Sequence, residues 1–327
     1  MSTIAGQDAA LASFAAARAS GRLHHAWLLA GPRGVGKARF AEAAALSLLA
    51  EGAAPGRGQA LDVPDDHPTA RLVAAGSHPD LARLARLPRE KSEDLARNIS
   101  VDQVRGLQRL FGTTPSFSDR RVVIVDAADD LERGAANALL KSLEEPPPGA
   151  TFLLVSHAPA RLLPTIRSRC RTLRFGVLGD AALRGVLAGA LGDADGGEID
   201  ALVRAGEGAP GRALRFAGLD IARLDAAMDL IARQGDASNA RRSALAQSLA
   251  GKSAQPRYEA LLERLPSRIA EAARGRRGQP LAEALALWEK ARDLAESAPR
   301  LSLDPQATVF ELAGLLAALA PRPDARR

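Results

Sequence analysis

Gly31-Pro32-Arg33-Gly34-Val35-Gly36-Lys37-Ala38 stands between two periodic segments. Before it comes a short apolar run, His25–Ala30 (HAWLLA), that reads as a strand. After it come the small and apolar residues of Lys37–Ala50, which read as a helix. Strand, glycine-rich turn and helix in that order fit G-x-x-x-x-G-K, a phosphate-cradling loop. Gly31, Gly34 and Gly36 let the backbone wrap around Val35 so that N–H groups point inward at phosphate oxygens. The helix N-terminus adds a positive dipole, and Lys37 neutralises the outer phosphates. A glycine-rich turn with a surface lysine is the plainer reading, and the flanking strand and helix argue against it. The residue after the lysine is normally Ser or Thr, whose hydroxyl ligates Mg²⁺; here it is Ala38. The loop therefore predicts ATP or ADP held by backbone and lysine, with Mg²⁺ held poorly.

A second motif lies further along. Arg121–Asp126 (RVVIVD) is a run of β-branched residues ending in an acid. An acid at the C-terminal end of a buried parallel strand lies beside bound phosphates, although an acid capping a strand end is an alternative. Hydrolysing sheets of this kind follow that acid with Glu, where this chain has Ala127. A missing general base costs about 10²–10⁴ in rate. Asp129 and Asp130 fall a few residues late for the role.

Around these motifs the chain alternates. Thr151–Ser156 and Arg171–Phe175 read as strands. Val101–Phe111, with Ser100 as N-cap, reads as a helix, and so does Asn137–Glu145, stopped by Pro146. Gly52–His67 reads as a loop. Such alternation predicts a five-stranded parallel sheet with helices on both faces. After Gly176 the strand signals stop. Asp180–Leu191 and Ile199–Gly206 read as helices, followed by a turn at Gly208–Gly211. From Leu219 onward amphipathic helices run with breaks near Pro256, Gly278 and Pro305. The division this predicts is an α/β domain over 1–175, a small helical domain over 176–218 and an all-helical domain over 219–327.

Composition sets the outer limits. The chain has 327 residues, 46% hydrophobic and 25% charged, which excludes wholesale disorder. Its most apolar stretches, Ala41–Ala50 and Leu312–Ala320, are too short to span a membrane. The first ten residues show no basic region followed by an apolar block, so no secretory signal is expected and the cytoplasm is the expected compartment. One cysteine, Cys170, excludes an internal disulfide and a cysteine-built zinc site. Lys plus Arg is 44 against 38 for Asp plus Glu, a net charge of +6 that permits nucleic-acid contact without requiring it. Aromatic residues make up only 3%, so any DNA contact is expected to track phosphates rather than read bases.

Three further segments carry a resemblance. Asn137-Ala-Leu-Leu-Lys-Ser-Leu-Glu-Glu-Pro-Pro147, Thr151-Phe-Leu-Leu-Val-Ser156 and Leu163-Pro-Thr-Ile-Arg-Ser168-Arg169-Cys170 resemble segments of the bacterial clamp-loader ATPases of the AAA+ class. The resemblance runs over about Gln7 to Ala217; the remainder matches in length and helical character only. It implies an AAA+ P-loop NTPase-like sheet domain, a helical lid and a helical collar that makes subunit contacts. It implies that Arg169 is an arginine finger reaching a neighbour's ATP, a contribution of about 10³–10⁵ in related systems. Ser156 falls at the sensor 1 position and Arg212 near the sensor 2 arginine. Arg105 and Lys141 fall where such proteins face DNA, against the plainer reading of solvated helix faces. The implied partners are gamma/tau motor subunits and a delta subunit in a hetero-pentamer, primer–template DNA and, indirectly, the sliding clamp, with no membrane. The implied work is ATP-dependent clamp loading in DNA replication. The family's four-cysteine zinc knuckle has no counterpart in 52–82, where His67, His78, Asp65, Asp66 and Asp80 remain, so no zinc is expected.

Two rivals remain in view. An active AAA+ ATPase, either a loader motor or a branch-migration helicase, should carry Ser or Thr at 38 and Glu at 127. A small-molecule P-loop kinase leaves Ser168-Arg169-Cys170 unexplained.

Overall fold

The computed structural model describes residues 4–53, 61–89, 92–117 and 119–321. The chain forms two compact units, one of Met1–Gly192 with Glu207–Arg212, the other of Asp193–Gly206 with Ala213–Arg327.

The first unit runs α1 (Asp8–Ala19), β1 (Ala26–Ala30), α2 (Lys37–Ala53), α3 (Pro68–Ala74), β2 (Leu81–Ala85), β3 (Pro88–Arg89), β4 (Ser92–Leu95), α4 (Val101–Gly112) and β5 (Arg121–Asp126). It continues with α5 (Arg133–Glu144), β6 (Ala150–Ser156), α6 (Pro164–Ser168), β7 (Arg171–Arg174) and α7 (Asp180–Leu191). Strands β2-β5-β6-β1-β7 form one parallel sheet in that order, and β3 and β4 make a small antiparallel ribbon.

Side chains alternate between the sheet's faces, and both faces are covered. Trp27, Leu29, Val122, Ile124, Leu153 and Val155 pack with Phe14 of α1 and Phe40 of α2. Leu28, Val123, Val125, Phe152 and Leu154 pack with Val104 of α4, Leu139 of α5 and Ile166 of α6. The expected AAA+ P-loop NTPase-like sheet, five strands with helices on both faces, is the one found. Within this sheet one strand carried no signal of its own: Leu81–Ala85 (LARLA) is an edge strand that buries only Leu84. The expected cap at Ser100 is present as a capping box, with Ser100 N–H donating to Gln103 Oε1 at 3.0 Å.

In the second unit α8 (Gly196–Gly206), the last part of α9 (Pro210–Arg215), α10 (Ile221–Gln234), α11 (Ala240–Ser248), α12 (Gln255–Arg274), α13 (Gln279–Leu301) and α14 (Pro305–Ala317) follow one another. No strand occurs among its described residues. The expected breaks at Pro256, Gly278 and Pro305 are helix starts, where a proline's missing N–H costs nothing. The turn expected at Gly208–Gly211 is shorter than the sequence suggests, because Pro210 already opens α9.

Candidate nucleotide-binding site

The loop after β1 leaves the sheet beside the end of β6, where Gly31 N–H donates to the Ser156 carbonyl at 3.2 Å. A Cβ on Gly31 would sit 2.1 Å from the Phe175 carbonyl oxygen, so no larger residue fits. Gly34 has φ +77° and a Cβ there would meet the Arg212 backbone N at 2.8 Å. Its own carbonyl accepts from Gly211 N–H at 2.8 Å, which fastens the loop's tip to the start of α9. Val35 is buried in the core and its carbonyl accepts from Gln7 Nε2 at 3.2 Å. The same Gln7 side chain donates to Gly176 O at 2.9 Å and accepts from Gly176 N at 3.2 Å. Gln7 ties three segments together, yet a lone polar residue ahead of α1 gave no sign of it.

Lys37 is only 3% exposed, and its Nζ donates to the carbonyls of Gly31 at 2.6 Å and Pro32 at 2.5 Å. Burial pushes its ammonium down to about 8, with Asp126 and Asp129 opposing and Arg33 assisting. Asp126 ends β5 as expected. Burial raises its carboxyl above the usual range, Lys37 and Arg33 oppose this, and Glu42 and Asp130 add to it.

Asp129 is not too distant to matter. A 3-10 turn, Ala128–Asp130, folds it back toward the end of β6. Its carboxylate accepts from Ser156 Oγ at 2.9 Å, His157 N at 2.6 Å and Ala158 N at 3.0 Å. Burial alone would raise its carboxyl, but these three donors hold it below the usual range. The Ser156 hydroxyl is thus committed to Asp129, while its carbonyl meets the loop. His157, which no motif pointed to, lies next to the same charges. Burial, then Lys37 and Arg33, push its imidazole down to about 4, against Asp129 and Asp130. Arg212 lies beside the loop through its backbone, and its guanidinium pairs with Glu207 at 2.7 Å.

The structure therefore gathers Gly31, Gly34, Val35, Gly36, Lys37, Ala38, Asp126, Ser156 and Arg212 around one end of the sheet. A glycine loop that tolerates no side chain at Gly31 or Gly34, a positive φ at Gly36 and a buried lysine fit a polyphosphate. The donor set for Mg²⁺ is thinner, because position 38 brings only a methyl group.

The other expected residues lie elsewhere. Arg169 caps the C-terminus of α6 and finds its partners on α5 and α6. Cys170 packs against the core, and burial pushes its thiol up to about 12. Arg105 and Lys141 are exposed on α4 and α5, two helices packed on the same sheet face, and Arg105 pairs weakly with Asp102 at 3.5 Å.

The 52–82 stretch holds no metal-ligand cluster among the described residues, and its residues 54–60 lie outside them. His67 caps α3 by accepting from Thr69 N–H at 3.2 Å, and His78 accepts from Asp80 N–H at 3.2 Å. Asp80 in turn accepts from Ser116 and Phe117 N–H groups. Val63 and Ala70 pack against Leu46 and Ala50 of α2.

Comparison with known proteins gives concordant results. The family model described as DNA polymerase III, delta subunit, matches residues 6–178. The chain is 40% identical over 194 residues to DNA polymerase III subunit delta' of Pseudomonas aeruginosa, covering 59% of this chain and 56% of that one. It is 35% identical over 156 residues to the subunit delta' of Bacillus subtilis, covering 47% and 43%. It is 32% identical over 221 residues to DNA polymerase III subunit gamma/tau of Mycobacterium bovis, covering 63% and 34%. The matched part thus spans about half the length of the delta' relatives and a third of the gamma/tau relative.

Proposed function

We propose a function on the premise that this chain belongs to the family described as DNA polymerase III, delta subunit. It works as the delta-prime subunit of the clamp loader, a member of a hetero-pentamer with gamma/tau motor subunits and a delta subunit. That assembly loads the sliding clamp onto primed DNA at the expense of ATP, in the cytoplasm. Within it this chain is no motor. Its loop holds ATP or ADP through Gly34, Gly36 and Lys37 and turns it over negligibly, because Ala38 supplies no metal ligand and Ala127 no base. Residues 176–218 act as the lid and 219–327 as the collar for subunit contacts. Arg105 and Lys141 meet DNA phosphates. The lack of any helix long and apolar enough to cross a membrane among the described residues agrees with this setting.

One observation carries the reading: Arg169 stands in a Ser-Arg-Cys sequence at a helix end, anchored by the backbone and by the half-buried Cys170 packed on the core, with its guanidinium partly open to solvent. A guanidinium delivered to a neighbour's outer phosphate stabilises charge that develops during transfer. The complete glycine cradle and Lys37 favour the rival, an active motor, and Ala38 and Ala127 stand against it.

The test is a reconstituted loader carrying Arg169→Ala in this chain alone. Folding should change by less than about 0.5 kcal/mol, since the side chain is not in the core. Assembly should survive, while DNA-dependent ATP turnover and clamp loading fall together. Arg169→Lys should not rescue, because a point charge on a flexible stem lacks the planar fork. Loading at the wild-type rate would overturn the reading.

A further inference from the structure

Arg169 is held from two sides. Its Nη1 donates to the Thr165 carbonyl at 3.0 Å, and its Nη2 lies 2.7 Å from Glu144 Oε1. The two anchors differ in kind. Thr165 belongs to the short helix that Arg169 caps, so its carbonyl ties the guanidinium only to the arginine's own segment. Glu144 is the last residue of α5, a different element, so its carboxylate fixes the guanidinium against the body of the domain.

That end of α5 is itself well founded. Leu143 is fully buried among the core residues of this sheet face. Its carbonyl accepts from His25 Nε2, just ahead of β1, at 3.0 Å. Glu145 N–H closes the last turn on Lys141 O at 3.0 Å, and Pro146 follows. Glu144 therefore reaches Arg169 from a base tied to the central sheet.

We infer that Glu144 is the positioning residue of Arg169: it presets the guanidinium plane in the free subunit so that the remaining N–H groups face outward. A guanidinium has five N–H donors, and these two contacts occupy one on each terminal nitrogen. The arginine is oriented without being used up, and a neighbour's phosphate meets it without first displacing the carboxylate. The inference rests on the arginine-finger reading above. Both partners of the pair are partly exposed, 34% and 48%, so its effect is modest and separable from folding.

The experiment uses the full loader, with this chain as the only altered subunit, primed DNA, clamp and ATP. Steady-state kcat and KM are measured for Glu144→Ala, Glu144→Gln, Arg169→Ala and the double variant Glu144→Ala with Arg169→Ala. Glu144→Ala should lower kcat about two- to fivefold, the scale of an exposed pair, and leave KM for ATP within about twofold. Glu144→Gln keeps an oxygen acceptor at the same place and should recover at least half of the loss. The double variant should be no slower than Arg169→Ala, since a positioning residue has nothing left to position. If Arg169→Ala is slow and Glu144→Ala runs at the wild-type rate, Glu144 has no such role and the finger reading stands. If Glu144→Ala runs faster than wild type, the carboxylate competes with phosphate and positioning is wrong. If Arg169→Ala itself runs at the wild-type rate, the finger reading fails and the role of Glu144 falls with it.

Discussion

Lys37 is a tightly held charge, because its ammonium is removed from water and compensated by two carbonyls of its own loop. The spacing G-x-x-x-x-G-K located it, and its burial follows from the loop's wrap. Burial sets its proton affinity near 8, so below that pH the chain presents an ammonium and above it a neutral amine. A polyphosphate needs the ammonium, so binding above pH 8 must first take up a proton. Affinity for a fluorescent ATP analogue, measured without Mg²⁺, should therefore fall about tenfold per pH unit above pH 8 and be flat just below it. The neighbouring His157, pushed to about 4, does not titrate in that window. Lys37→Arg should abolish the slope, since a guanidinium keeps its charge throughout. A flat profile in the unaltered chain would show that Lys37 does not meet the phosphates. Other residues of the site left less trace in the sequence. Ser156 could be placed at the end of a strand, but not its commitment to Asp129, because that bond depends on a 3-10 turn no spacing rule describes.

Helices α10 and α12 are joined by a buried ion pair in which Arg264 Nε and Nη2 meet the Asp225 carboxylate at 2.9, 2.6 and 2.5 Å. The two side chains are 3% and 10% exposed. One turn along, Arg268 pairs with Asp229, both partly open to solvent. Desolvation decides between these pairs. Arg264→Ala leaves a carboxylate buried and unpaired and should cost about 3–5 kcal/mol in urea unfolding. Replacing both partners, Arg264→Met with Asp225→Leu, should return most of that stability. Arg268→Ala should cost less than about 1 kcal/mol. Equal losses for Arg264→Ala and Arg268→Ala would refute the distinction. Neither pair was legible, since Asp225 and Arg264 are 39 positions apart. The central strands were legible because burial on both faces writes them as unbroken apolar runs, Val122–Val125 and Phe152–Val155. Leu81–Ala85 was not, because an edge strand buries little and alternates weakly, and the β3–β4 ribbon, its neighbour in sequence, left no apolar pattern either. Helix starts were legible where chemistry marks them, at Ser100, Pro256 and Pro305.

Across the whole chain, the absence of a cysteine cluster and the fate of two histidines bear on metal content. His67 and His78 each spend Nδ1 on a backbone N–H two residues ahead, and Asp80 spends its carboxylate on the loop at Ser116. Elemental analysis of the purified chain should find far less than one zinc per molecule, and a tightly held stoichiometric zinc would give these residues a different role. Turnover is the sharper property of the whole chain. Lys37 and the glycine cradle belong to this chain's own loop, whereas Arg169 is tied to Glu144 and Thr165 on α5 and α6. On the function proposed above, a chain alone lacks three contributions at its own loop: the hydroxyl absent at Ala38, the base absent at Ala127 and the arginine of a neighbour. The base alone is worth about 10²–10⁴ in rate and the arginine about 10³–10⁵. Either loss is enough to suppress hydrolysis, and Asp129 is a poor stand-in as base because the three hydrogen bonds its carboxylate accepts hold its proton affinity below the usual range. The isolated chain should therefore bind ATP and release it unchanged, with phosphate release indistinguishable from that of Lys37→Ala. A turnover near one per second on the isolated chain, lost in Lys37→Ala, would mean that a group other than residues 38 and 127 activates water here, and the motor reading would replace the one proposed.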